Sequence, residues 1–155
     1  MDNTCRPFNN GDKIIFEKSM EINYWAVVVS ALVSMVIGSI WYGPLFGRRY
    51  REAMGMDTWS PEKQAAMQKD MPKAYIGQFI ASLVMFFVFA WYIGLSKHVG
   101  ALGGINNAFW VWIGFVVPLA YGQALWGGKM SVFWLSIGNM LVTLIAAGAI
   151  IGAWR

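Results

Sequence analysis

Long apolar stretches separated by short charged clusters dominate the pattern along the chain. Four segments contain no Asp, Glu, Lys or Arg, and they lie between Glu21 and Arg48, Lys73 and Lys97, Lys97 and Lys129, and Lys129 and Arg155. A helix that crosses about 30 Å of hydrocarbon needs about 20 residues, and its backbone groups must be bonded within the segment. The pattern predicts an all-α integral membrane protein, a four-transmembrane-helix bundle with helices at residues 22–42, 75–95, 107–126 and 132–154.

The remaining parts of the chain follow from these boundaries. Residues 1–20 form a polar tail, residues 21–155 form the membrane domain, and residues 43–74 form its one substantial loop. The first apolar stretch is longer than the roughly 7–15 residues of a signal-peptide core, and Trp41-Tyr42 stands where small residues would precede cleavage. It is therefore expected to remain as a helix. Either Met1 or Met20 is the translation start.

Lysine and arginine are unevenly divided between the two ends of the predicted helices. One end has seven of them (Arg48, Arg49, Arg51, Lys63, Lys69, Lys73 and Lys129), and the other has five (Arg6, Lys13, Lys18, Lys97 and Arg155). Cytoplasmic loops carry the excess of these residues, so both termini are predicted on the non-cytoplasmic side. If translation starts at Met20, the difference widens to seven against two.

Composition agrees with a membrane protein. Of 155 residues, 57% are hydrophobic and only 13% are charged, whereas soluble domains carry about 25% charged residues. A soluble globular domain and a disordered chain are therefore excluded, and a single cysteine excludes a disulfide-stapled scaffold. The formal net charge of +4 fits a basic collar beside a membrane and requires no nucleic-acid partner.

The loop carries a basic cluster and a helix-start signal. Arg48, Arg49 and Arg51 are predicted to contact lipid head groups, with a specific anion site as the alternative. Ser60-Pro61-Glu62 combines an N-cap, a proline at the first helical position and an acid in the first turn. This signal predicts a short amphipathic helix at residues 61–71 near the head groups.

Methionines are frequent in and beside this loop helix. Met54, Met56, Met67 and Met71 are interpreted as packing or interface residues, because methionine side chains adapt to irregular apolar surfaces. Ligation of copper(I) by soft thioethers is the less favoured alternative. No metal site and no cofactor are predicted.

Polar and aromatic side chains in the spans cluster toward the cytoplasmic end. On the fourth helix, Ser136, Asn139 and Thr143 fall within roughly 60° of one another at about 100° per residue. With both termini outside, we expect a polar and aromatic vestibule that opens inward, formed by Trp41, Tyr42, Gln78, Tyr121, Gln123, Ser136, Asn139 and Thr143. An aromatic belt at the membrane interface is the alternative for its aromatic members.

Proline and glycine mark two further positions in the spans. Pro118 removes a backbone hydrogen bond in the third helix, which predicts a kink there. Gly148 and Gly152 allow close backbone approach on the fourth helix, and they are the candidate face for a homo-oligomer. Helix packing within the chain is the alternative interpretation of these glycines.

Three motifs give the chain a family resemblance. They are Trp41-Tyr42-Gly43-Pro44-Leu45-Phe46-Gly47, Trp112-Ile113-Gly114-Phe115 with Pro118, and the glycine-rich ending at residues 148–154. With these motifs the chain resembles a prokaryotic family of small membrane proteins known as domain of unknown function 1761. The resemblance implies a four-helix protein of the inner membrane without an assigned activity, and it supplies no catalytic residue.

The residues of the spans restrict the class of function. The spans contain no carboxylate, histidine or cysteine, so an enzyme and a proton-coupled transporter are not expected. Cys5 and His98 are each alone in the chain, which excludes a two-cysteine relay and a bis-histidine haem within one chain. We expect a non-catalytic membrane module, namely a scaffold, an accessory subunit or a binder of lipid or a small apolar ligand. A small oligomeric transporter or channel for a neutral or apolar solute is the alternative.

Overall fold

The computed structural model describes residues 22–96 and 100–154, and every regular element within these ranges is a helix. Four helical segments are long and apolar enough to cross a membrane: Tyr24–Leu45, Pro61–Leu95, Gly100–Leu125 and Met130–Ala153. The prediction of four such helices is confirmed. The predicted tail with Cys5, and the loop residue His98, lie outside the described residues.

The first segment consists of helix α1 (Tyr24–Ile40) and a π-helical turn (Trp41–Leu45). The Phe46 N–H donates to the Trp41 carbonyl, five residues earlier, at 2.9 Å, and this bond closes the wide turn. Pro44 lies inside it and has no N–H to donate. The regular α-helical ladder of the first segment therefore ends where the Trp41 motif begins.

A short connection leads from the first segment to the second. Helix α2 (Gly47–Met54) ends at Gly55, and a 3-10 turn (Met56–Thr58) follows. Gly55 has a φ of 69°, in the left-handed region that glycine adopts without steric cost. Helix α3 (Pro61–Leu95) then starts at its N-cap Ser60, whose Oγ accepts a hydrogen bond from the backbone of the first turn, as the sequence signal predicts.

Helix α3 is much longer than a membrane crossing requires. Its 35 residues correspond to about 50 Å at 1.5 Å per residue, against a hydrocarbon thickness of about 30 Å. The helix predicted at residues 61–71 is present, but it is not short, because these residues are the first turns of α3, which continues through Pro72. The proline removes one backbone bond, and the turns on either side maintain the helix.

The third segment is divided into α4 (Gly100–Val111), a second π-helical turn (Trp112–Val116) and α5 (Val117–Leu125). It begins at Gly100 and not at the predicted residue 107, because the glycine-rich residues before 107 are also helical. The Val117 N–H donates to the carbonyl five residues earlier, and Pro118 follows in the first turn of α5. The irregularity predicted at Pro118 thus takes the form of a π turn just before it.

Helix α6 (Met130–Ala153) packs against both α1 and α4. Its closest approach is to α4, where a Cβ on Gly104 would collide with the Gly148 carbonyl oxygen, and a Cβ on Gly152 would collide with the Gly100 carbonyl oxygen. The prediction that Gly148 and Gly152 form an oligomer face is therefore wrong. Helix α4 of the same chain occupies that face, and both glycines are buried by it.

Two tryptophans hold α6 from opposite sides. Trp41 donates its indole N–H to the Leu135 carbonyl oxygen at 3.0 Å, and Trp112 donates to the Ile137 carbonyl oxygen at 2.8 Å. Positions two residues apart on a helix differ by about 200°, so the two bonds reach different faces of α6. Each π turn begins with one of these tryptophans and places its ring against α6.

The apolar core lies toward one end of the bundle, which we call the packed half. Its buried residues are Ala26, Val27, Ala31, Phe86, Phe89, Ala90, Ile93, Ala108, Leu144, Ala147 and Ile151. Asn23 Nδ2 donates to the Trp154 carbonyl oxygen at 2.9 Å, which joins the start of α1 to the end of α6. The opposite end, the open half, contains the first π turn, α2, the 3-10 turn, the first half of α3 and the first half of α6.

Candidate functional site

A cavity of about 1100 Å³ lies in the open half, lined by α1, α3 and α6 together with α2 and the 3-10 turn. Ligand pockets in proteins measure about 300–1,000 Å³, so this space is large enough for a whole small molecule. Polar side chains line its deep end, next to the packed half. Methionines line its walls, and aromatic and charged residues lie at its outer end.

Five polar side chains from three helices line the deep end: Ser34, Gln78, Ser82, Asn139 and Thr143. The Ser34 hydroxyl donates to the Ala31 carbonyl oxygen at 2.7 Å and lies 3.4 Å from the Ser82 hydroxyl. Gln78 Nε2 donates to the Ser82 hydroxyl at 3.4 Å. The polar groups of α1 and α3 at this level therefore bond to one another.

The two polar residues from α6 behave differently. Asn139 and Thr143 lie one turn apart and are only 8% and 5% exposed. Within the described residues, Asn139 Nδ2 and Thr143 Oγ1 have no hydrogen-bond partner, and an unpaired buried polar group costs about 1–3 kcal/mol. Ser30 Oγ shares this property but does not line the cavity. Asn139 and Thr143 thus line the cavity and carry buried polar atoms with unused hydrogen-bonding capacity.

Methionines dominate the apolar part of the lining. Of the ten in the chain, six line the cavity: Met35, Met56, Met67, Met71, Met85 and Met140. Their flexible, polarisable side chains form a wall that adapts to different shapes. Three of the four methionines singled out from the sequence lie on this wall, whereas Met54 does not. Copper(I) ligation by these residues stays the less favoured alternative.

Aromatic and charged residues surround the outer end. Tyr42 and Tyr50 pack edge to face with their ring centroids 4.8 Å apart. Lys63 Nζ lies 4.1 Å from the centroid of the Trp59 ring, a cation–π contact that fixes the start of α3 next to the 3-10 turn. This end of the cavity is therefore amphipathic, because Tyr42, Tyr50 and Trp59 line it together with the charged residues Arg51 and Asp57.

The three arginines predicted to contact lipid head groups are all exposed on α2, but their surroundings differ. Arg48 Nε donates to a Glu52 carboxylate oxygen at 2.8 Å, and this hydrogen bond raises the pKa of Arg48 above its usual value. Arg51 lines the outer end of the cavity. Contact of Arg48, Arg49 and Arg51 with head groups stays a prediction.

Four of the eight residues predicted to form the vestibule line the cavity: Tyr42, Gln78, Asn139 and Thr143. The prediction is wrong for the other four. Trp41 bonds to α6, and Tyr121 packs edge-on against Phe133 with ring centroids 5.8 Å apart. Gln123 and Ser136 line a separate cavity of about 130 Å³. Position along a span gives the height of a residue in the bundle but not the face on which it lies.

Ser82 and all six cavity methionines are absent from the predicted vestibule. One signal in the sequence was available for Ser82. Gln78 and Ser82 form a polar pair one helical turn apart inside an apolar span, as do Asn139 and Thr143. Residues at this spacing share a face, and polar groups in spans usually face the bundle interior. No comparable signal marks the methionines, because apolar residues occupy every face of a span.

The motifs that carry the family resemblance coincide with the irregular and close-packed parts of the fold. The first forms the π turn at Trp41–Leu45, the second forms most of the π turn at Trp112–Val116, and Gly148 and Gly152 form the crossing with α4. A family model described as "Protein of unknown function (DUF1761)" matches residues 25–152. The chain belongs to the DUF1761 family.

In this DUF1761 protein, the match includes nearly all of the four long helical segments. Its motif residues build the support around α6, whereas Asn139 and Thr143 supply the free polar groups of the cavity. No curated protein and no solved structure matches the chain. The cavity is therefore the feature from which a function is argued.

Proposed function

We propose that this DUF1761 protein is a non-catalytic membrane module that binds a small lipid-soluble molecule in the cavity of its open half. One observation carries the proposal: a cavity of about 1100 Å³ has, at its deep end, two buried polar groups on Asn139 and Thr143 that find no partner among residues 22–96 and 100–154. Ligand sites are typically concave and mostly apolar, with a few polar groups that orient the ligand. The lining of this cavity has that composition.

The packed half favours binding over passage. Beyond the deep end, α3 and α6 continue into the apolar core at Phe86 and Leu144, which are 0% and 2% exposed. A solute path through the bundle would require these helices to separate, whereas a bound molecule needs only the space that already exists. Transport of a neutral or apolar solute, the alternative function, therefore requires a second conformation of the core.

The charged residues support an inward-opening cavity. Within residues 22–96 and 100–154, all charged side chains belong to the open half or to the turn before α6: Arg48, Arg49, Arg51, Glu52, Asp57, Glu62, Lys63, Lys69, Asp70, Lys73 and Lys129. By the positive-inside rule, this end faces the cytoplasm and both termini lie outside. We place the protein as a multi-pass protein in the inner membrane of a prokaryotic cell, where bilayer lipid surrounds it.

Two pairs of glycines provide a matched test of the proposal. Gly38 in α1 and Gly43 in the first π turn line the cavity, and a Cβ on either meets nothing within 4 Å. Gly77 in α3 and Gly114 in the second π turn have equally open surroundings but lie outside the lining. The double variant Gly38→Trp/Gly43→Trp should fill the cavity with indole rings. The control Gly77→Trp/Gly114→Trp should leave the cavity open to a ligand, as in the wild type.

The measurement is the amount of lipid-soluble molecule that copurifies per chain, extracted with solvent and quantified by mass spectrometry. We expect a molecule bound to the wild type and to Gly77→Trp/Gly114→Trp, and its loss from Gly38→Trp/Gly43→Trp. Circular dichroism should show the same helix content in all three proteins. Equal amounts in the two double variants, or none in the wild type, would contradict the proposal.

A further inference from the structure

The deep end of the cavity offers polar groups without charge. Asn139 Nδ2 and Thr143 Oγ1 are unpartnered within the described part of the chain, and both residues are more than nine-tenths buried. The charged side chains that line the cavity, Arg51 and Asp57, belong to α2 and the 3-10 turn at the outer end. An amide N–H and a hydroxyl can both donate. The group that fits between them is therefore neutral and accepts hydrogen bonds.

The walls next to these donors favour a flat ring. Met35, Met85 and Met140 line the cavity, and each lies within one turn of a deep-end polar residue on its own helix. Thioether sulfur makes favourable contacts with aromatic and conjugated rings, and the flexible side chain adapts to a flat surface. Tyr42 and Tyr75 add two aromatic side chains to the lining.

We propose that the ligand is a conjugated carbonyl compound, such as an alkylated benzoquinone or an aryl ketone. Its carbonyl oxygen accepts hydrogen bonds from Asn139 Nδ2 and Thr143 Oγ1, its ring lies among the methionines, and its alkyl chain extends toward the outer end. The inference rests on the proposed binding function and adds the chemical class of the ligand and its orientation.

Three probes separate the two parts of this inference. An alkyl-1,4-benzoquinone carries both the ring and the carbonyl, an alkylbenzene carries only the ring, and a long-chain aliphatic ketone carries only the carbonyl. Each is titrated into the full-length protein in mild detergent, and the rise in melting temperature gives an apparent affinity. We expect the benzoquinone to bind about tenfold more tightly than either other probe, because each of them lacks one set of contacts.

A matched pair of variants tests the hydrogen bonds. Asn139→Leu removes the amide at the deep end, and we expect it to reduce the preference for benzoquinone over alkylbenzene to about twofold or less. Gln123→Leu makes the same change in the smaller cavity and should keep the full preference. Thr143→Val replaces the hydroxyl by a methyl group of similar size and should reduce the preference in the same direction.

Each outcome decides between the inference and the function on which it rests. Equal affinities for all three probes, or an unchanged preference in both Asn139→Leu and Thr143→Val, would overturn the carbonyl inference and leave the binding function intact. If no probe binds, the proposed ligand class is wrong. The binding function fails as well if the wild type carries no copurifying molecule, or if Gly38→Trp/Gly43→Trp retains as much of it as Gly77→Trp/Gly114→Trp.

Discussion

Two buried asparagines show how differently the halves of the bundle are built. Asn107 on α4, in the packed half, is 6% exposed, and its Nδ2 donates to Ser96 Oγ at 2.8 Å and to the Gly103 carbonyl oxygen at 2.9 Å. Asn139 on α6, in the open half, is 8% exposed, and its Nδ2 is unpartnered within the described residues. Similar burial thus accompanies an amide donor with two acceptors in one half and, among the described residues, an unpartnered amide donor in the other.

The glycines repeat this contrast. Gly104 and Gly148 in the packed half stand against each other so closely that neither has room for a Cβ, whereas Gly38 and Gly43 in the open half border empty space. Small residues on membrane helices usually allow close packing. Among the described residues, glycines bring two helix backbones into contact in the packed half, whereas Gly138 in the open half packs against the Trp41 ring. The space at Gly38 and Gly43 is therefore a property of that region and not of the composition.

The strongest test of the contrast is a single methyl group in the packed half. Gly104→Ala forces α4 away from α6, because its Cβ would collide with the Gly148 carbonyl oxygen, and we expect a loss of about 3 kcal/mol in unfolding free energy. Denaturant unfolding of the purified protein in detergent measures it. Gly114→Ala, where a Cβ meets nothing within 4 Å, should match the wild type. Equal stability of the two variants would mean that the crossing is not tightly closed.

The two asparagines provide the next largest effect. Asn107→Leu removes one hydrogen bond to Ser96 at the end of α3 and one to Gly103 within α4. It should lower the unfolding free energy by about 1–2 kcal/mol, since each hydrogen bond contributes about 0.5–1.5 kcal/mol net. Asn139→Leu removes an unpaired donor and should be neutral or slightly stabilising without ligand. The same denaturant series compares them. A similar loss in both would show that Asn139 is bonded in the folded protein.

The smallest effect concerns the two tryptophans that hold α6. Trp112→Phe and Trp41→Phe each remove one indole hydrogen bond, but Trp112 also packs against the apolar core. We expect a loss of about 1 kcal/mol for Trp112→Phe and about half of that for Trp41→Phe. Melting temperatures of the two variants in detergent show which substitution destabilises the protein more. A larger loss for Trp41→Phe would place the stabilising contacts of α6 in the open half.

The prediction of the fold and the prediction of the site had unequal success. The four spans were predictable because a run of about 20 apolar residues without charge has one stable state in hydrocarbon. The start of α3 was predictable because Ser60 and Pro61 act within one turn of the backbone. For the site, the spacing of Asn139 and Thr143 placed them together. Ser136 shares their face of α6 but lies nearer the start of the helix, where it lines the smaller cavity with Gln123, because a helix face meets different neighbours along its length.

The order of apolar and charged residues in the sequence determined how many helices the chain has, roughly where they begin and end, and where the charges cluster. The arrangement of those helices decided the rest: Gly148 packs against Gly104 of the same chain, α3 runs unbroken past Pro72, and methionines distant in sequence share one wall. Nearly every face of a span is apolar, so hydropathy does not determine which helix packs against which face. Shape complementarity between helix surfaces determines the packing, and this complementarity is present only in the assembled bundle.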